Sequence, residues 1–189
     1  MKVWPSAFVA ALLTGATALL APPPAVAATA WVDYPFFQDA VPVHNALGVS
    51  GTSTAAHRWE AGTGIDLIPT SSDPRRGISI RWSSARSGTK VGGWVEVPKW
   101  YATGPNGSLE IGDCIVNVNT HVGGVGRPYG KWLAAIVTHE VGHCLGHWDH
   151  ASDPHIMRPF ISKSEALSGV DWTATATDLE RLRVAYTTN

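Results

Sequence analysis

The sequence has no long run of like charge. Charged side chains make up only 15% of its 189 residues, and the formal net charge is −1. That removes the usual electrostatic reason to expect nucleic acid or an anionic membrane as partner. It also lacks an apolar stretch of the roughly 20 residues needed to span a bilayer comfortably. The uncharged, mostly apolar segment from Ala7 to Ala21 is shorter than that. No internal repeat is visible. The glycine-rich segment Gly123 to Gly130 has no Lys-Ser/Thr pair after it, which argues against a phosphate cradle. Cysteine is scarce, with only Cys114 and Cys144, and nothing near Cys114 supplies a base for a catalytic thiol. What is present is 44% hydrophobic, the composition of one globular domain with a sizeable core. Nine tryptophans suit both a core and a surface that holds extended peptides or sugars.

The N-terminus reads as an export signal. Lys2 supplies a positive charge, the apolar segment follows, and Pro22 to Pro24 end any helix. Ala25-Val26-Ala27 and Ala28-Thr29-Ala30 both fit the small-x-small cleavage pattern. The expected division is a signal peptide over residues 1–27, a short N-terminal segment over 28–45, and a catalytic domain over 46–189. The mature protein is expected to be secreted, extracellular and monomeric, with no membrane attachment. In an exported chain two cysteines read first as one disulfide, Cys114 to Cys144, with two buried thiols as the alternative. Closing a loop of about 30 residues would contribute on the order of 3 kcal/mol.

Beyond that segment the pattern is α+β. Ser53 to Ala61 spaces Ala55, Ala56 and Trp59 along one helical face. Short strands are expected at Ile65–Ile68, Ile78–Trp82, Gly93–Val97 and Ile115–Val118, separated by clusters of Gly, Pro, Ser and Asn.

A longer helix is expected from Lys131 to Gly146, and it contains His139-Glu140-Val141-Gly142-His143. At about 100° per residue, His139 and His143 lie about 40° apart, one turn along the same face. Two imidazoles so placed can reach one Zn²⁺ at about 2.0–2.1 Å each. Glu140, about 100° round, stands beside the metal and can act as general base toward a water. Leu133, Val137, Val141 and Cys144 fall on the opposite, core-facing side, which makes Cys144 structural. Gly146 can end the helix with a positive φ. The chain could then swing back to the metal at Asp149, or at His150 beside it. His147 lies about 6 Å beyond His143 along the axis and should miss the ion.

The stretch from His139 to Asp149 resembles the extended metzincin motif His-Glu-x-x-His-x-x-Gly-x-x-His/Asp. His155-Ile156-Met157-Arg158-Pro159 resembles the Met-turn of that family, and Asp178 to Tyr186 resembles its closing helix. The step from Asp149 to Met157 is similar to that of matrixin-type members, while Asp as third ligand is similar to the small snapalysin-type proteases. The resemblance implies a zincin fold: a small, twisted, mostly parallel mixed sheet, an active-site helix, a Met-turn and a C-terminal helix. It implies one catalytic zinc held by His139, His143 and Asp149, or by His150 if the register is one residue longer. Glu140 would be the general base and Met157 would pack beneath the ligands. Protein or peptide substrates are implied, lying along an edge strand at Ile111–Asn119, with Pro159, Phe160 and Ile161 walling a pocket beyond the cleaved bond.

The sequence departs from the matrixins in three ways. It has no cysteine switch, no His/Asp-rich loop for structural metals, and no third His. Structural calcium is therefore left undecided. Asp178 reads by default as a helix cap, and His44, His57 and His121 as surface histidines. Trp148 is expected to pack near the site as support. Two other classes stay open: a zinc-bound binding module without catalysis, and a metal hydrolase acting on non-protein amides.

Overall fold

The computed structural model describes residues 36, 38–103, 108–148, 156–158, 162–168 and 172–187. Among these residues five strands form one sheet: β1 (Ala40–Asn45), β2 (Asp66–Thr70), β3 (Ile78–Ser83), β4 (Gly93–Thr103) and β5 (Ser108–Asn119). The order across the sheet is β2-β1-β3-β5-β4. All neighbours run parallel except β4, which returns antiparallel along β5. The mixed, mostly parallel α+β architecture is the one expected.

Alternation decides which face of the sheet is covered. In β2, Leu67 is buried between exposed Asp66 and Ile68, and in β1 Val41 and Val43 point into the core. Apolar side chains of period two make a half-buried sheet that needs a layer of helix on one side. Helices α1 (Thr52–Ala56) and α2 (Gly130–Cys144) provide it. A single 3₁₀ turn, His57–Trp59, brings in Trp59, which is fully buried. Its indole Nε1 donates to the Thr138 carbonyl at 2.7 Å, and Thr138 Oγ1 donates back to the Ala55 carbonyl at 3.0 Å. These two bonds fix the rotation of α2 one residue before His139.

Three features differ from expectation. β1 lies within the segment expected only to precede the domain, yet it pairs with both β2 and β3. Pro42 disguises it, since proline is poor inside a sheet. Pairing with β3 begins only at Val43, one residue after the proline. The β4–β5 hairpin is also longer than expected, because a register shift between Glu96 and Lys99 breaks the alternation that marks a strand. The third difference concerns the edge: β5, which contains Ile111–Asn119, is interior, and β4 is the edge strand instead. An antiparallel return after β3 places β4 outside β5, so the order of strands along the chain is not their order across the sheet.

The helix predicted for Ser53–Ala61 is α1 plus the 3₁₀ turn. The disulfide Cys114–Cys144 is formed, with Cα atoms 5.6 Å apart, and ties β5 to the last residue of α2. Two further helices close the structure, α3 (Lys163–Leu167) and α4 (Ala176–Thr187). Among the described residues no helix is long and apolar enough to cross a membrane.

Candidate metal centre

Near its C-terminal end α2 presents His139, Glu140 and His143 together; all three are buried, and their ligand atoms lie within 4.8 Å of one another. They form the one cluster of potential metal ligands among the described residues. The helix stops where Gly146 was expected to stop it, at φ 95°. The His147 N–H donates to the Gly142 carbonyl and the Gly146 N–H to the His143 carbonyl, both at 3.0 Å. This pair of bonds is a Schellman cap, which depends on the left-handed glycine. Capping turns the His147 carbonyl back toward the helix, where it lies 2.8 Å from His143 Nδ1. His139 Nδ1 lies 2.6 Å from the Ile156 carbonyl, supplied by the turn that carries Met157.

A carbonyl can only accept, so each Nδ1 must carry its ring's proton. Both Nε2 atoms are then lone-pair acceptors, and they face each other 3.0 Å apart. Two lone pairs at that distance repel unless a cation or a proton sits between them. Zinc–nitrogen bonds of about 2.0–2.1 Å at a tetrahedral angle would separate two ligand nitrogens by about 3.3 Å. The donor set and its outer hydrogen bonds therefore fit a divalent metal that favours imidazole. Burial pushes the Glu140 carboxyl up to about 8, with the Arg86 charge opposing this to a smaller extent.

The surroundings are close-fitting. Met157 is fully buried, and a Cβ added at Gly142 would lie 2.8 Å from its sulfur and 2.5 Å from Trp59 Cζ2. At Gly93, where β4 begins, a Cβ would lie 2.9 Å from Glu140 Oε1, so only a bare backbone fits there. Trp148 stacks on His143 with ring centroids 5.5 Å apart, the supporting place expected of it.

His147 turns away from the cluster, as expected, to a partner that sequence reasoning missed. Its Nε2 lies 2.9 Å from Asp178 Oδ1, both side chains being almost wholly buried. Asp178 is more than the helix cap expected of it. Its Oδ2 accepts from the N–H and hydroxyl of Thr175, while the Asp178 N–H donates to Thr175 Oγ1, a reciprocal arrangement at the start of α4. A chain of contacts thus runs from the His143 ring through His147 and Asp178 to α4. No sequence pattern signals it, because the pair spans 31 residues. The Ile156 and His147 carbonyls were equally invisible, since backbone groups carry no residue signature. His44 and His57 have ordinary partners, the Thr70 carbonyl and Glu60.

A cavity of about 410 Å³ opens beside His139 and Glu140. Its described apolar walls include Val91, Val122, Val125, Trp132 and Ile136. Arg158 and Ser162 also line it, and both bind Glu165. The Ser162 bonds first, and Arg158 second, hold the Glu165 carboxyl below its ordinary range. Asp149, His150, Pro159, Phe160 and Ile161 lie outside the described residues, so the expected third ligand and pocket wall are not located by the structure.

No family model and no curated protein matches the chain. Among solved structures it is similar to high choriolytic enzyme 1, a hatching enzyme zinc-protease from Oryzias latipes (Medaka fish). The identity is 13%, the match covers 84% of this chain and 96% of that one, and the TM-score is 0.43. It is also similar to myroilysin, at 14% identity over 84% of this chain and 97% of that one, with a TM-score of 0.41. Likeness of this degree assigns no residue a role.

Proposed function

We propose that the chain is a secreted zinc-dependent endopeptidase, with His139 and His143 as metal ligands and Glu140 as general base. The third ligand in this reading is Asp149, with His150 as the alternative. The supporting observation is the pair of Nε2 atoms 3.0 Å apart, each ring oriented by a carbonyl at its other nitrogen, beside a buried carboxyl. That arrangement sets two oriented imidazole nitrogens and one proton carrier side by side, with His139 and Glu140 lining the cavity.

Zinc, when bound, supplies Lewis acidity to a scissile carbonyl and to the attacking water. Glu140 takes the proton from that water at a carboxylate oxygen and returns it to the leaving amine. Gly93, lacking a side chain, lets β4 pass close to that carboxylate without a clash. An extended peptide would lie along the outer edge of β4, by strand addition, with its backbone in β-type hydrogen bonds. Met157 packs beneath the ligands, and the Cys114–Cys144 bridge anchors the end of α2 that holds His143. In this reading residues 1–27 are the export signal, and an oxidising destination accords with the bridge.

The test compares the wild-type mature protein with Glu140→Ala for bound zinc and for casein digestion. The expected result is about one zinc in each, with most digestion lost in the variant. Zinc bound by a wild type that cleaves no peptide would leave a binding module, or a hydrolase of non-protein amides. A wild type that binds no zinc refutes the proposal.

A further inference from the structure

The cavity beside His139 and Glu140 has an uneven charge balance. Among the described residues, three cationic ones, Lys90, Arg158 and Lys163, contribute to its lining, against one carboxyl, that of Glu140. Arg158 is already satisfied, because its guanidinium donates to Glu165 at 2.7 Å. Neither lysine has a carboxylate partner among the described residues. The Lys163 ammonium lies over the Tyr129 ring, 5.0 Å from its centroid, and Lys90 is exposed. Between these charges the walls are apolar, with Trp132 and Ile136 on α2 one to two turns before His139. Gly92, Gly93 and Gly123 also line the cavity and contribute no side chains to narrow it.

Resting on the endopeptidase reading, we propose that this cavity receives a substrate side chain with an apolar stem and an acidic end, of the glutamate class. The residue that enters it flanks the scissile bond, because the cavity adjoins the catalytic cluster. The stem lies against Val122, Trp132 and Ile136, and the carboxylate reaches Lys163 and Lys90 at the rim. A lysine or arginine there would add a further cation beside Lys90 and Lys163, so discrimination comes from repulsion as much as from attraction. Contacts at an exposed rim are screened by salt, and the preference shrinks as ionic strength rises.

The experiment uses the zinc-loaded mature protein and fluorogenic peptides that differ only at the two residues flanking the cleaved bond. At one of these positions the glutamate peptide is expected to have a kcat/KM about tenfold or more above lysine, and no lower than leucine. Adding 0.5 M NaCl should reduce the glutamate-to-lysine ratio. The double variant Lys90→Glu/Lys163→Glu, checked for wild-type zinc content and circular dichroism, should invert it. Cleavage with no acidic preference at either position, or a ratio unmoved by the double variant, overturns this inference and leaves the endopeptidase reading standing. Zinc binding without cleavage of any peptide removes both.

Discussion

Gly142→Ala sets two known effects against each other at the centre of the site. In an ordinary helix interior, alanine is favoured over glycine by about 0.8–1.0 kcal/mol. Here the new Cβ would lie 2.5 Å from Trp59 Cζ2 and 2.8 Å from Met157 Sδ, closer than atoms in contact tolerate. Trp59 cannot easily yield, because it is fully buried and its Nε1 is bonded to Thr138. Overpacking of this kind costs about 1–3 kcal/mol, so the net effect lies between about zero and a loss of about 2 kcal/mol. For a domain of this size that lowers Tm by up to about 8 °C. Met157 is the softer neighbour, and its displacement would move the adjacent Ile156 carbonyl that orients His139. Zinc affinity should therefore fall as well, by about tenfold, the low end for changes behind a metal ligand. Calorimetry and competitive zinc titration read the two effects separately. A double-mutant cycle with Trp59→Phe, which removes the closest atom, should recover at least about 1 kcal/mol of the packing cost. If Gly142→Ala raises Tm and leaves zinc affinity unchanged, helix propensity has won and the close-packing account is wrong.

Three further outcomes are expected. Replacing both Cys114 and Cys144 by alanine should cost about 3 kcal/mol in urea unfolding, as should reducing the wild type; no difference between oxidised and reduced protein would show that the bridge constrains nothing. Asp178→Asn can keep an oxygen toward the Thr175 N–H only by turning its NH2 toward His147 Nε2; losing that acceptor should cost about 1–3 kcal/mol and weaken zinc binding through His147, whereas Glu180→Gln on the exposed side of α4 should do neither. In the metal-free protein the folded Glu140 carboxyl, at about 8, lies above its ordinary value of 4.5, so the folded state holds that proton longer than the unfolded chain. Stability should then fall as pH rises, by about 3 kcal/mol between pH 6 and pH 8.5, and level off above it. Glu140→Gln should flatten that slope, and a wild-type slope of zero would contradict the burial of the charge.

Side chains at helical spacing were the most legible part of the site. His139, Glu140 and His143 could be placed on one face because α-helix geometry is invariant, and Gly146 could be read as a stop because few other residues accept its φ. The disulfide followed from having only two cysteines to pair. What escaped was non-local or carried by the backbone. The place of β4 at the edge depends on how a hairpin docks, which no local pattern encodes. β1 was hidden by Pro42 in a strand of six residues. The carbonyls of Ile156 and His147 do their work without any side chain, and the His147–Asp178 pair joins elements that only the finished fold brings together.

The Tyr186 hydroxyl accepts from the Phe36 N–H at 2.8 Å and donates to the Leu145 carbonyl at 3.2 Å. One oxygen atom thus ties Phe36, 150 residues before it, to Leu145, 41 residues before it, at the cap of the helix bearing the histidines. As the polypeptide emerges during synthesis, α2 is complete long before residue 186 exists. The Leu145 carbonyl must wait for its partner, and Phe36 for its anchor. The cap of α2 is thereby closed by a hydroxyl that is synthesised 41 residues after the carbonyl it binds.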